Sequence, residues 1–225
     1  MTLPSKIYTN NQIYPHEFGL LESNHGQIFL HVSQIGGYGS EKYGPLYVLD
    51  TANNKFSLST LNAMRNVVQC ELEKIVGLNG VILLKIYDPP QGMENKIIDK
   101  DNVELLPYKR TIITFNNGQT WQPITPPKVN SNALCEEREN CSLHLHLNTY
   151  GAIVKIYNSE DSLGLIIGVG NVGKYHSSNL SDLNTYLSRD GGHTWHEVFF
   201  LFSDLHLNYC YALLDIKRVS CLCSR

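Results

Sequence analysis

Two short stretches of this chain carry residue types and spacings that could do chemistry. In GLIIGVGNVGK, residues 164–174, Gly168, Gly170 and Gly173 stand in the spacing G-x-G-x-x-G behind the apolar run Leu165, Ile166, Ile167. Such glycines let backbone N–H groups wrap a pyrophosphate, provided a helix follows whose free N-terminal N–H groups hold the charge. The continuation KYHSSNLSDLNTYLSRDGG is polar and rich in Ser and Asn, so no helix of useful length fits, and Lys174-Tyr175 does not complete a Walker A loop. The glycines are expected instead to let a strand end and turn close to neighbouring backbone. In CEERENCSLHLH, residues 135–146, the side chains of Cys135, Cys141, His144 and His146 offer a zinc donor set, since His144 and His146 alternate onto one face of a strand. The C-x5-C spacing is wider than that of a zinc knuckle, and a disulfide closing a small loop uses the same cysteines in an oxidising compartment. Zinc and disulfide are the two readings, the disulfide preferred.

The elements that must position these residues are short β-type runs bounded by turn residues: 26–34, 44–51, 79–87, 110–115, 142–147, 164–169 and 184–188. Asn-Gly and Gly-Gly turns between them indicate an all-β protein built from hairpins. Only residues 59–76 could be drawn as an amphipathic helix, and their β-branched members weigh against it. Pro, Asn and charge mark 88–109 and 126–140 as surface insertions.

A repeat is the strongest signal. TFNNGQTW sets Thr114, Asn116, Gly118, Thr120 and Trp121 in the same register as Ser188, Asp190, Gly192, Thr194 and Trp195 of SRDGGHTW, and these tryptophans are the chain's only two. The pattern S/T-x-D/N-x-G-x-T/S-W is the Asp-box: an Asp or Asn accepts hydrogen bonds from the turn's N–H groups, Gly takes the positive-φ position, and the aromatic packs between sheets. Asp-boxes recur in β-propellers between the third and fourth strands of a blade, and their residues are expected to be structural. An eroded third copy is expected at LDTANNKF, with Asn53 at the glycine position and Phe56 at the aromatic one.

Sialidase propellers also carry Asp-boxes, and their hydrolysis needs an arginine cluster for a carboxylate together with a Tyr nucleophile backed by a Glu. Arg65, Arg110, Arg138, Arg189, Arg218 and Arg225 sit in no such context, so catalysis is disfavoured and no catalytic residue, metal or cofactor is assigned. A net charge of −3 gives no electrostatic footprint for nucleic acid or an anionic membrane. No apolar run reaches membrane-spanning length and the first residues lack a signal-peptide pattern. Asn140-Cys141-Ser142 and Asn179-Leu180-Ser181 are glycosylation acceptors if the chain enters a secretory compartment.

The succession VGLNGVILLKI, TIITFNNGQTWQPITPP, CEERENCSLHLHL, GLIIGVGNVG and NTYLSRDGGHTWHEV resembles, in order, the Vps10 domain of sorting receptors, the sortilin group, and is nearest in character to fungal-type receptors. The resemblance covers residues 26–198. Residues 1–25 are a partial blade or undefined segment, and 199–225, with Cys210, Cys221 and Cys223, form a tail without the family pattern, the mark of a partial or mis-spliced gene product. The resemblance implies part of a ten-bladed propeller whose tunnel binds peptide segments or propeptides of cargo, with strands too few here to close the ring. It implies a non-enzymatic receptor carrying cargo from the Golgi through endosomes to the vacuole or lysosome, on the lumenal side, held to the membrane by parts this chain lacks. It places the family's loop disulfide on Cys135 and Cys141 and transfers no ligand-contact residue.

Overall fold

The computed structural model describes residues 18–22, 27–33, 42–50, 54–66, 69–91, 108–127, 141–147 and 156–198, together with strands at 210–215 and 218–223. Among these residues, every regular element longer than a single turn is a strand. Strands β1 (Phe18–Glu22), β2 (Ile28–Val32), β3 (Lys42–Asp50) and β4 (Lys55–Arg65) form an antiparallel meander. A second unit follows in β5 (Leu72–Lys74), β6 (Ile82–Tyr87), β7 (Lys109–Thr114) and β8 (Gln122–Pro123), again antiparallel in sequence order. The third comprises β9 (Ser142–Leu145), β10 (Tyr157–Asn158), β11 (Ile166–Gly173), β12 (Asn184–Ser188) and β13 (His196–Val198). There β9 and β10 lie end to end along one edge of β11 while β12 and β13 continue from the other. Each unit is one blade of a partial all-β propeller; the first touches the second through Ala63↔Ile86, and the second touches the third through Ile124↔Leu143, just beyond β8. Strands β14 (Cys210–Asp215) and β15 (Arg218–Cys223) pair only with each other.

Blades stack because their strands are apolar on both faces, as a sheet buried on two sides must be. On β6 and β7, Ile82, Leu84 and Ile112 point toward the first blade and join Phe29, Leu46, Val48 and Ala63. Leu83 and Ile113 point the other way and join Leu143, Leu145, Ile166, Val172 and Trp195 of the third. Burying such a side chain is worth about 1.5–3 kcal/mol, so the two seams hold the blades in line.

The structure bears on three of the sequence readings. Residues 59–65 belong to β4, and the chain turns at Asn66, whose Oδ1 accepts the Gln69 N–H, before β5; no helix forms. Pairing to β3 decides this, because a helix from residue 59 would strip that strand of four ladder partners, Thr60, Ala63, Met64 and Arg65. At 49–56, β3 and β4 pair as Leu49↔Phe56 and Asp50↔Lys55, and Asn54 takes a positive φ of 52°; Asn53, the expected glycine position, lies outside the described residues. Finally, β11 runs through Gly168 and Gly170 and ends only at the third glycine, Gly173. A Cβ on Gly170 would collide with the His144 carbonyl, so this glycine exists for the close approach of β9.

Candidate functional site

Both Asp-boxes cap a third-to-fourth strand hairpin, β7–β8 and β12–β13, and their bonding is nearly superposable. Ser188 Oγ donates to Asp190 Oδ1 at 2.9 Å and accepts the Gly192 N–H at 2.8 Å. Asp190 in turn accepts the Thr194 N–H at 2.9 Å and the Thr194 hydroxyl at 2.6 Å. Thr114, Asn116, Gly118 and Thr120 repeat the scheme, with Asn116 Nδ2 donating to Thr120 Oγ1 at 2.8 Å. The turn needs positive φ at two successive residues, 57° and 77° at Asn117 and Gly118, 71° and 96° at Gly191 and Gly192. Partial burial pushes the Asp190 carboxyl up, but the donors of Thr194 and Ser188 outweigh it and hold the group below the usual aspartate range.

The boxes also join blades. Trp121 packs into the seam with the first blade, and its Nε1–H donates to Ser59 Oγ on β4 at 2.9 Å. Trp195 packs into the seam with the second blade and donates to the Gly192 carbonyl at 3.0 Å. A Cβ on Gly192 would lie 2.6 Å from Ile113 Cδ1, and His193 stacks on Phe115 with ring centroids 4.1 Å apart. A shallow cavity of about 310 Å³ opens beside this joint between Leu78, Val81, Leu163, Arg189 and His193.

At the end of the strands away from the boxes the chemistry changes. A row of tyrosines, Tyr43, Tyr87, Tyr108 and Tyr175, crosses from the first blade to the third with centroid separations of 4.6, 6.4 and 5.2 Å. Tyr87 is buried, which with its tyrosine neighbours pushes its hydroxyl up to about 12. Arg110 pairs with Asp88 at 2.8 Å and reaches Ser142 at 3.3 Å. Arg65 donates to the Phe18 carbonyl and Arg189 lies exposed on a box, so these three arginines serve three different elements.

Between the second and third blades this end is polar. Lys85 and Glu71 form an ion pair with both side chains buried. His144 Nδ1 accepts the Thr111 N–H at 3.2 Å, which puts its proton on Nε2, bonded to the Gly173 carbonyl at 3.0 Å. Burial above all, with the Arg110 charge adding and the Gly173 bond opposing, pulls His144 down to about 4. His31 in the first blade is likewise held at about 4 by burial, its Nε2 on the Ala63 carbonyl at 2.9 Å. The rings of His146 and His176 meet with centroids 4.1 Å apart; burial, then Lys85, His146, His144 and Lys109, push His176 down to about 2.

Of the residues singled out from sequence, the ten box residues fall in two equivalent hairpins. Cys141 is disulfide-bonded and both ring nitrogens of His144 are engaged, which leaves neither free to ligate zinc; Cys135 and Asn140 lie outside the described residues. Asn179 is exposed and its Oδ1 caps a single 3-10 turn through the Ser181 N–H. Sequence reasoning missed Lys85, Glu71 and His176. Each is one polar residue without a local motif, and only the alternation of His144 and His146 hinted that this seam is polar.

Residues 2–202 match the sequence profile of the family described as Sortilin, neurotensin receptor 3. The chain is 34% identical over 189 residues to Vacuolar protein sorting/targeting protein 10 of Kluyveromyces lactis. It is 35% identical over 190 residues to Vacuolar protein sorting/targeting protein PEP1 of Saccharomyces cerevisiae strain RM11-1a, and 30% over 191 residues to the protein 10 relative of Paracoccidioides brasiliensis strain Pb03. Each match covers 80% of this chain and only 11–12% of the relative's length.

Proposed function

The chain belongs to the Sortilin–Vps10 family, and we propose that it is the part of a sorting receptor that helps bind protein or peptide cargo on the way from the Golgi through endosomes to the vacuole. The observation that supports this is the coincidence of the match over residues 2–202 with three successive blades whose Asp-boxes are joints. The relatives' names concern vacuolar protein sorting. The reading is binding, not catalysis: among the described residues, the arginines that could gather a substrate carboxylate, Arg65, Arg110 and Arg189, are spread over three elements. The disulfide of Cys141 is assigned to Cys135, and Asn140 and Asn179, the latter exposed on its turn, are the glycan acceptors of this reading; both accord with an oxidising lumen.

A chimera tests this. Residues 2–202 replace the matching segment of the Saccharomyces cerevisiae relative in cells lacking it, and the secreted fraction of soluble vacuolar hydrolases is measured. Retention of hydrolases is expected. Secretion at the level of the deletion, with the chimera folded and delivered to the Golgi, refutes the proposal.

A further inference from the structure

At the Asp-box end of the seam between the second and third blades, the cavity of about 310 Å³ is lined by Leu78 and Val81 from the second blade and by Leu163, Arg189 and His193 from the third. Its walls are fixed by close packing. Gly191, at a φ of 71°, lets the box turn lie on Leu78, since a Cβ there would stand 2.6 Å from Leu78 Cδ1. Gly77 admits Leu163 in the same way, at 2.8 Å. The Gly191 N–H donates to the Gly164 carbonyl at 2.9 Å and the Val76 N–H to Asn158 Oδ1 at 2.8 Å, so hydrogen bonds tie the three lining stretches together. A hollow held this way is formed before any ligand arrives, which spares the ligand the cost of ordering it.

The lining is apolar with an asymmetry of charge. Leu78, Val81 and Leu163 present methyl groups, and Leu163 keeps 65% of its surface exposed. The acid lining the cavity, Asp190, has both oxygens engaged: Oδ1 accepts from Ser188 Oγ and the Thr194 N–H, and Oδ2 from the Thr194 hydroxyl. The cation lining it, Arg189, is exposed, and its guanidinium makes no hydrogen bond or ion pair among the described residues. Glu160 and Asp161, on the turn before Leu163, do not line the cavity. An aliphatic hollow beside an unpaired fork of N–H donors is matched by an alkyl chain that ends in a carboxylate, which a guanidinium binds through two parallel hydrogen bonds.

We propose that Leu78, Val81, Leu163 and Arg189 form a binding site for a short aliphatic carboxylic acid, its chain against the three apolar side chains and its carboxylate on Arg189. The proposal goes beyond the sorting reading and does not depend on it. Ligand cavities run from about 300 to 1,000 Å³, so this one takes a single small acid, with a dissociation constant on the order of 1 mM.

The whole chain, followed by its amide and methyl NMR signals, is titrated with sodium hexanoate, hexanol, hexylammonium chloride and sodium acetate at constant pH and ionic strength. Hexanoate should shift the signals of Leu78, Leu163 and Gly191 together and saturably. Hexanol, without the charge, should bind roughly fivefold more weakly, and hexylammonium and acetate should not saturate. Arg189→Gln should bring hexanoate down to the affinity of hexanol, whereas Leu163→Ala should weaken both alike; both side chains are exposed, so the fold is retained. Equal binding of hexanoate, hexanol and hexylammonium overturns the site. So do an absence of saturable shifts with hexanoate, shifts scattered away from these residues, or hexanoate binding that Arg189→Gln leaves unchanged.

Discussion

Replacing Asp190 with Ala removes the acceptor around which the second box is built. Three hydrogen bonds disappear: from Ser188 Oγ, from the Thr194 N–H and from the Thr194 hydroxyl. The two Thr194 donors are exposed and regain water, so each is worth a few tenths of a kcal/mol, on the order of the low end for neutral bonds. Ser188 is buried, and the loss of a charged acceptor there costs about 1.5–2 kcal/mol. The sum, about 2–3 kcal/mol, should lower Tm by about 5–10 °C for a chain of this size. Asp190→Asn is the decisive control, because Asn116 already performs the same task in the first box; it should cost less than about 1 kcal/mol. Trp195 is buried beside the box, so denaturant unfolding followed by tryptophan emission in a Trp121→Phe background reports the joint directly. An Asp190→Ala variant within about 0.5 kcal/mol of wild type, the range of an ordinary surface change, would refute the box as a stabilising joint. So would Asp190→Asn as damaging as Asp190→Ala.

Acid should destabilise the fold through buried neutral histidines. His31 and His144 are held at about 4 against 6.5 in the unfolded chain, so the unfolded state binds more protons between these values. Stability is full above 6.5 and falls with pH, by roughly 2 kcal/mol per histidine at pH 5, levelling below pH 4; denaturant midpoints that stay flat from pH 7 to 5 contradict this. Gly170→Ala drives a methyl into the His144 carbonyl, whereas at Gly168 the nearest atom is the Leu145 side chain at 3.2 Å. The first substitution should therefore cost about 3 kcal/mol or more and the second clearly less, and the reverse order in urea unfolding would be incompatible with the β9–β11 contact. Lys85→Met strands the Glu71 carboxylate and should cost about 3–5 kcal/mol, while adding Glu71→Leu recovers most of it; a double-mutant cycle without that recovery removes the ion pair from the account.

What the sequence made legible is what is local. Thr114, Asn116, Gly118, Thr120 and Trp121 lie within eight residues and bond to one another, so their pattern survives reading in one dimension. The third-to-fourth strand placement of both boxes and the short β-type runs of β2, β3, β6 and β12 were legible for the same reason. Residues 59–65 were ambiguous because Leu58, Leu61 and Met64 also fit a helical stripe, and β3, across a turn, decides between the two. The glycines of β11 showed a phosphate-loop spacing because Gly170 answers to a carbonyl twenty-six residues earlier. Lys85, His146 and His176 come from three separate stretches, and no periodicity links them.

The eighth position of the box shows how a local motif acquires a non-local task. Hydrogen bonds among positions one, three, five and seven close the turn and need nothing beyond the hairpin. The aromatic at position eight contributes little to that turn; Trp121 instead reaches Ser59 of the blade before, and Trp195 lies in the cluster with Ile113 of the blade before. At 49–56 the aromatic, Phe56, packs with Leu30, Val32, Tyr47 and Leu49 of its own blade, and Leu49↔Phe56 and Asp50↔Lys55 pair directly. An Asp-box is thus a hairpin whose turn is self-sufficient, which frees its aromatic to bind a neighbour. That division predicts that Trp195→Phe, which keeps the turn and loses the indole's fill and its bond to Gly192, weakens the seam while leaving the Thr194 bonds to Asp190 intact. Unchanged amide exchange at Thr194 alongside faster exchange in β7, across the seam, is the expected signature; equal loss at both would mean that turn and joint are one unit.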